Sequence, residues 1–256
     1  HNRIITWLNF KLNLRLGTTA GLSKQTVIAA YLGALSHIFL DYSTTSGVPT
    51  LFPLSINKYS AELFFYTDLI VMIFGIAIVL LLYRDREKRM NQRPFLAAFL
   101  LLILAMSGFR LMEKYDAAPA SAFSSVYPTT NPFVWWIMEE DRANNSIYAR
   151  RYDTLLKSQD FSESYPELEI TASNASFSFE EALASANALS QVERFYWNAA
   201  KTSTIAIYNG TTETWLIQLK DPLRDAMIKS SPGFWSFQSR GWLNVSVNKR
   251  EAKVLY

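Results

Sequence analysis

The sequence predicts a membrane α-helical bundle with three spans in this chain, followed by a soluble α+β domain with an antiparallel sheet. Three observations favour this fold class. Residues 25–42, 61–83 and 94–112 are strongly apolar. The second half of the chain has the composition of an ordinary soluble domain, although 50% of all residues are hydrophobic. Short alternating apolar and polar runs in that half are typical of half-buried strands.

The three apolar segments are interpreted as membrane-spanning helices. Leu63–Tyr83 is long enough to cross a bilayer core, which needs roughly 20 apolar residues, and Phe95–Met112 is nearly as long. Thr26–Tyr42 is shorter and carries His37 and Asp41, so its length alone also fits a buried helix of a soluble core. Its position beside two longer segments favours a third span, or a helix packed within the bundle.

Basic residues predict the orientation, because Lys and Arg accumulate in short cytoplasmic loops. They cluster before the first span and between the second and third spans: Arg3, Lys11, Arg15, Lys24, then Arg84, Arg86, Lys88, Arg89 and Arg93. We therefore expect a multi-pass protein of the inner membrane, with the residues after about 115 outside the cytoplasm. Because His1 rather than Met begins the sequence, we also expect the natural N-terminus to lie upstream.

The composition divides the chain into three parts. Residues 1–116 are predicted to form the transmembrane helical domain. Residues 117–132 are rich in Ala, Ser, Thr and Pro and are interpreted as a linker. Residues 133–256 are expected to form the soluble extracytoplasmic domain, with one antiparallel sheet and a helix packed on it.

Local signals position the helix of this last domain. Phe179–Ala200 has a helical pattern, and Ser178 with Glu181 forms an S-x-x-E capping box at its start. Further along, Asp221 and Arg224 are predicted to be turn and salt-bridge residues.

Charge and cysteine content exclude several classes of function. The net charge of +3 is too small to favour nucleic-acid binding, and no basic stripe alternates with aromatic residues. The absence of Cys excludes disulfides, thiolate metal sites and cysteine nucleophiles. The expected partners are membrane lipid and an unidentified small-molecule or lipid substrate, and the sequence leaves the oligomeric state open.

A His-x-x-x-Asp pair is the candidate chemical site. His37 and Asp41 lie four residues apart, so on a helix they project from one face, and both side chains suit a divalent metal. Asp68 on the next segment, with Glu62 nearer the surface, is the expected third ligand or general base. Nearby hydroxyl groups expected to ligate or support the metal belong to Ser36, Thr44 and Thr45. The alternative is a buried His–Asp hydrogen bond that joins two helices, with Asp68 bonded to a hydroxyl.

The string from Gly33 to Pro53 (GALSHIFLDYSTTSGVPTLFP) extends this pair into a loop that Gly and Pro would turn back over the helix end. The string resembles the YdjM-like family of inner-membrane, metal-dependent hydrolases, whose pattern is a His-x-x-x-Asp helix followed by a Thr-Gly-x-Pro-type loop. The resemblance implies that His37 and Asp41 bind a divalent metal, with Zn²⁺ as the first candidate.

One family motif is altered at the start of the chain. The resemblance implies an Arg-x-x-Thr-His motif, and here Arg3 and Thr6 fit it while Trp7 stands in place of His. Either His1 substitutes as a metal ligand from a shifted position, or this ligand is lost.

The leading hypothesis is therefore a membrane-integral, metal-dependent hydrolase that acts on a lipid-linked or phosphoester substrate. The alternative is a non-catalytic, membrane-anchored binding or scaffold protein, and a transporter is a third option.

Overall fold

A computed structural model describes residues 24–45, 47–65, 69–84, 93–119, 123–230, 241–249 and 251–255. The helices in these ranges are α1 (Lys24–Tyr42), α2 (Leu69–Arg84), α3 (Arg93–Ala117), α4 (Phe179–Asn187), α5 (Ser190–Asn198) and α6 (Pro222–Ser230). The strands are β1 (Ser124–Pro128), β2 (Val134–Asp141), β3 (Ser146–Asp153), β4 (Ser158–Pro166), β5 (Leu168–Thr171), β6 (Ser203–Asn209), β7 (Thr214–Lys220), β8 (Trp242–Val247) and β9 (Ala252–Leu255).

The first three helices differ from the predicted spans. No helix within the described ranges combines the length and the apolar composition needed to cross a membrane. The prediction of a three-span membrane bundle is therefore wrong. One physical reason is that the apolar Leu63, Phe64 and Phe65 lie in a loop, in which Phe64 bridges to Thr44, and α2 has 16 residues. Another is that the last turns of α3 are polar and pack against the C-terminal half.

The C-terminal half contains two sheets, where the sequence predicted one antiparallel sheet. In the first, β1, β2, β3 and β4 are antiparallel neighbours in chain order, as expected for strands joined by short turns. The second has the order β5-β6-β7-β8-β9, and its β5–β6 pair is parallel. Strand β1 lies within residues 117–132, which the composition predicted to be a linker.

The second sheet packs on α4 and α5, and together they enclose one core. Its buried side chains are Phe179, Ala182, Ala186, Val192, Ala206, Tyr208, Trp215, Ile217, Leu219, Val245 and Val247. The predicted capping box is confirmed, because the Ser178 side chain accepts a hydrogen bond from Glu181 N and the Glu181 side chain accepts one from Ser178 N. The predicted single helix over 179–200 is divided at Leu189, whose ψ of 129° is extended.

Helix α6 connects the two sheets. It follows β7 of the second sheet in the chain, but its Leu223, Ala226 and Met227 pack in the core of the first sheet. The buried Tyr165 hydroxyl on β4 donates to Asp225 Oδ2 over 3.0 Å. One short helix therefore links the second sheet, through the chain, to the core of the first.

Helix α3 attaches the N-terminal segment to the first sheet. Arg110 is completely buried, donates to the Thr129 carbonyl over 2.8 Å, and lies 5.0 Å from the centroid of the buried Trp135 ring. Phe109 meets Phe133 edge to face at 5.5 Å. A buried guanidinium is tolerated only where hydrogen bonds and ring faces replace water, so these contacts hold α3 in one position.

Strand β7 provides a test of the second core. Leu219 is 0% exposed and Leu216 on the same strand is 41% exposed. We expect Leu219→Ala to lower the free energy of unfolding by about 2–5 kcal/mol, because it leaves a cavity in a closed core. The matched Leu216→Ala variant should change it by less than about 0.5 kcal/mol. Urea unfolding followed by tryptophan fluorescence measures both, and equal effects would contradict the assigned faces of β7.

Candidate functional site

The predicted metal pair lies on the outer surface of α1, near its C-terminal end. His37 Nε2 is 3.4 Å from Asp41 Oδ2, and their side chains are 77% and 44% exposed. Both groups are therefore accessible to solvent. Within the part of the chain that the structure describes, no third His, Asp or Glu joins them to form a larger metal-binding group.

The spacing of the two donor atoms fits a shared metal. Donors of a tetrahedral Zn²⁺, each about 2.0–2.2 Å from the ion, lie about 3.3–3.5 Å apart. The distance of 3.4 Å between His37 Nε2 and Asp41 Oδ2 falls in this range. An imidazole nitrogen and a carboxylate oxygen are also the donors that Zn²⁺ accepts most readily besides thiolate. The pair can supply two ligands, and further ligands would come from elsewhere.

The predicted supporting residues differ in their contacts. Ser36 Oγ donates to the Gly33 carbonyl over 2.9 Å, within its own helix. Thr44 Oγ1 donates to the Asp41 carbonyl over 2.8 Å, so Thr44 helps to end α1 directly after the pair. Thr45 lines a cleft described below. The remaining predicted site residues lie outside the described residues: His1, Arg3, Thr6 and Asp68.

The loop that follows α1, residues 43–65, is held in a folded-back conformation. Val48 and Tyr59 exchange two backbone hydrogen bonds of 3.0 Å each, and Thr44 bridges to Phe64. Gly47 has a φ of +61°, and a Cβ built there would lie 2.8 Å from the Tyr59 carbonyl oxygen. Glycine is therefore required at this position both by conformation and by space.

The loop rests on α5 of the C-terminal half. Trp197 Nε1 donates to the Ile56 carbonyl over 3.0 Å. Lys58 Nζ donates to Asn198 Oδ1 over 3.1 Å and lies 3.5 Å from the centroid of the Trp197 ring. These partners are about 140 residues apart in the chain, so no local pattern could have indicated Lys58, Trp197 or Asn198 as site residues.

A cleft of about 540 Å³ lies between this loop and the C-terminal half. The loop contributes polar side chains on one side, and α5, α6 and β1 contribute the other. Its lining includes Thr45, Gly47, Lys58, Tyr59, Ser60, Glu62, Tyr127, Trp197, Asn198, Asp221 and Arg224. A cleft of this size, with a few polar groups among aromatic rings, has the dimensions of a small-molecule site.

The two carboxylates that line the cleft, those of Glu62 and Asp221, both lie beside cationic side chains. Lys114 Nζ on α3 is 3.1 Å from Glu62 Oε2. Asp221 Oδ1 accepts from Arg224 N over 3.3 Å at the start of α6, and Arg224 Nε lies 3.9 Å from Asp221 Oδ2. The predicted turn and salt-bridge roles of Asp221 and Arg224 are thus confirmed.

Burial changes the proton affinity of these groups. It raises the pKa of Glu62, although the charge of Lys114 opposes the shift. It also raises the pKa of Asp221, against the opposing charge of Arg224. For Lys58, burial is the larger cause of a lowered pKa and repulsion from Arg224 is the second. The two cations therefore repel each other across the cleft.

The sequence model of a family described as YdjM inner membrane protein matches residues 3–117. This match covers 115 of the 256 residues, so the similarity to the family concerns the N-terminal segment of the chain. The segment ends at the last residue of α3, so it contains the His37–Asp41 pair and the 43–65 loop but none of the sheets. The family description concerns an inner membrane protein. No curated protein and no solved structure matches the chain.

Gly47 offers a test of the folded-back loop. We expect Gly47→Ala to cost roughly 1–3 kcal/mol of stability, because alanine must adopt a left-handed φ and displace the Tyr59 carbonyl. Gly210→Ala is the matched control, since a Cβ there meets no atom within 4 Å. Thermal unfolding and the emission wavelength of tryptophan report the change. A Gly47→Ala protein as stable as the Gly210→Ala protein would contradict the described loop.

Proposed function

We propose that the chain is a membrane-associated, metal-dependent hydrolase in which His37 and Asp41 bind the metal. The distance of 3.4 Å between His37 Nε2 and Asp41 Oδ2 carries the proposal, because it fits two donors to one ion. A divalent metal, with Zn²⁺ as the first candidate, supplies Lewis-acid activation of water when bound. The similarity of the segment that contains the pair to a family of inner membrane proteins supports the membrane association.

The residues of this chain contribute binding and orientation. The Thr44 hydroxyl bonds to the carbonyl of Asp41 and so defines where the helix that carries both ligands ends. Asp68, as a further ligand or general base, stays a prediction from the sequence. The proposed substrate is a lipid-linked compound or a phosphoester, which suits an enzyme located at a membrane.

A second candidate function is a membrane-anchored binding or scaffold protein without catalysis. One observation favours it: the 540 Å³ cleft is built by Lys58, Trp197 and Asn198, and neither His37 nor Asp41 lines it. The two functions differ in whether the His37–Asp41 pair is required.

Removal of either ligand tests the metal assignment. We expect His37→Ala and Asp41→Ala to weaken zinc binding by more than about 10-fold, because loss of groups that only support metal ligands already costs about 10- to 100-fold. Hydrolysis of phosphoester substrates should fall with the metal content. Leu40→Ala, an exposed change on the same helix, is the control. Metal titration by calorimetry and metal analysis of the purified full-length protein provide the measurements.

The two functions give different results in this test. Metal content that is unchanged in both ligand variants would contradict the hydrolase and favour the binding protein. In that case His37→Ala would alter stability without altering the binding of a ligand in the cleft.

The location of residues 133–256 outside the cytoplasm is also proposed, from the distribution of basic residues. The chain has no Cys, so one introduced cysteine is a unique label. We expect Thr212→Cys, in an exposed turn, to react in intact cells with a maleimide that does not cross the inner membrane. Gln92→Cys, in the segment predicted to be cytoplasmic, is the control. Labelling of position 212 only after lysis would contradict the proposal.

A further inference from the structure

An apolar groove of about 880 Å³ lies between the 43–65 loop and α5. Its apolar lining consists of Pro49, Phe52, Ile56, Tyr196 and Trp197. Phe52 is 70% exposed, and the neighbouring Leu54 is 92% exposed. Exposed apolar side chains grouped in this way mark a surface that binds an apolar partner.

The groove and the cleft are adjacent. Trp197 and Asn198 line both of them, so these two residues form the boundary at which the groove and the cleft meet. The Trp197 side chain is fixed at this boundary by its hydrogen bond to the Ile56 carbonyl and by Lys58 above its ring. The groove and the cleft together form a combined surface that is apolar on one side of Trp197 and polar on the other.

The polar end presents positive charge. Lys58 and Arg224 line the cleft together, and the charge of Arg224 contributes, after burial, to the lowered pKa of Lys58. Of the two carboxylates that line the cleft, Glu62 pairs with Lys114, and Asp221, whose side chain is only 4% exposed, lies 3.9 Å from Arg224 Nε. An anionic group in the cleft would accept a charge-assisted hydrogen bond from Lys58 and be attracted by the charge of Arg224. The lining of the groove contains both Arg194 and Glu193, whose charges are opposite.

We infer that this combined surface binds a lipid that carries a phosphate group. The phosphate occupies the cleft between Lys58 and Arg224, and the acyl chain lies in the groove along Phe52, Ile56 and Trp197. The charge of the cleft selects the phosphate, and the apolar groove selects the chain. This binding requires no metal and does not rest on the proposed hydrolase, because neither His37 nor Asp41 lines the cleft or the groove.

The test uses the full-length protein, with EDTA present, and short-chain dioctanoyl phosphatidic acid as the probe. We expect Lys58→Gln to weaken binding by about 10-fold, because it removes one charge-assisted hydrogen bond. Lys58→Arg keeps the charge and should restore most of the affinity. Lys253→Gln, which removes an exposed lysine from β9, is the matched control.

A second pair of variants tests the apolar end. We expect Ile56→Asn to weaken binding of the same probe by about 10-fold, because it removes apolar contact with the chain. Ile170→Asn, at an exposed position of similar accessibility on β5, should leave the affinity unchanged. Circular dichroism and tryptophan emission identify any variant that has lost the loop or the fold.

Two further probes separate the contribution of the phosphate group to binding from that of the acyl chains. Equal affinity for dioctanoylglycerol would overturn the phosphate site, and equal affinity for inorganic phosphate would overturn the acyl groove. Unchanged binding by Lys58→Gln would overturn the inference as a whole. His37→Ala should bind the probe as the wild type does in EDTA, so failure of the proposed hydrolase and failure of this inference give different results.

Discussion

The contacts of Arg110 are the constraint on which the relation between the two halves depends. A fully buried guanidinium is stable only with hydrogen-bond acceptors and a ring face around it, and the Thr129 carbonyl and Trp135 provide them. This docking fixes the last turns of α3. One turn further along, Lys114 donates to the Ala61 carbonyl and pairs with Glu62, so the same helix holds the end of the 43–65 loop. The docking of α3 by Arg110, together with the contacts between the loop and α5, therefore sets the position of the cleft.

Local signals in the sequence predicted local structure well and helix length poorly. The Ser178–Glu181 capping box was confirmed because both of its hydrogen bonds are formed within four residues. The membrane bundle was wrong because hydropathy does not distinguish apolar residues within a helix from apolar residues in an adjoining loop such as 61–65. Strand β4 (Ser158–Pro166) gave no alternating apolar signal, since most of its side chains are exposed or half-buried.

The residues of the candidate site also fall into those that the sequence predicted and those that it did not. The His37–Asp41 pair was predictable, because a spacing of four residues on a helix brings two side chains together without any tertiary contact. The cleft was not predictable, because Lys58 meets Trp197 and Asn198 only after α3, both sheets and α5 have packed. Asp221 and Arg224 were recognised as a turn pair, but their place opposite the loop depends on the same packing.

The two ends of the site thus have different origins within the chain. The His37–Asp41 pair lies entirely inside the segment that is similar to the YdjM family, whereas Trp197 and Arg224 lie beyond it. Under the two proposals, replacement of the C-terminal half would remove the residues proposed to recognise the ligand and leave the helix pair in place. Proteins that share this N-terminal segment but carry a different C-terminal half would then differ in the ligand that they bind.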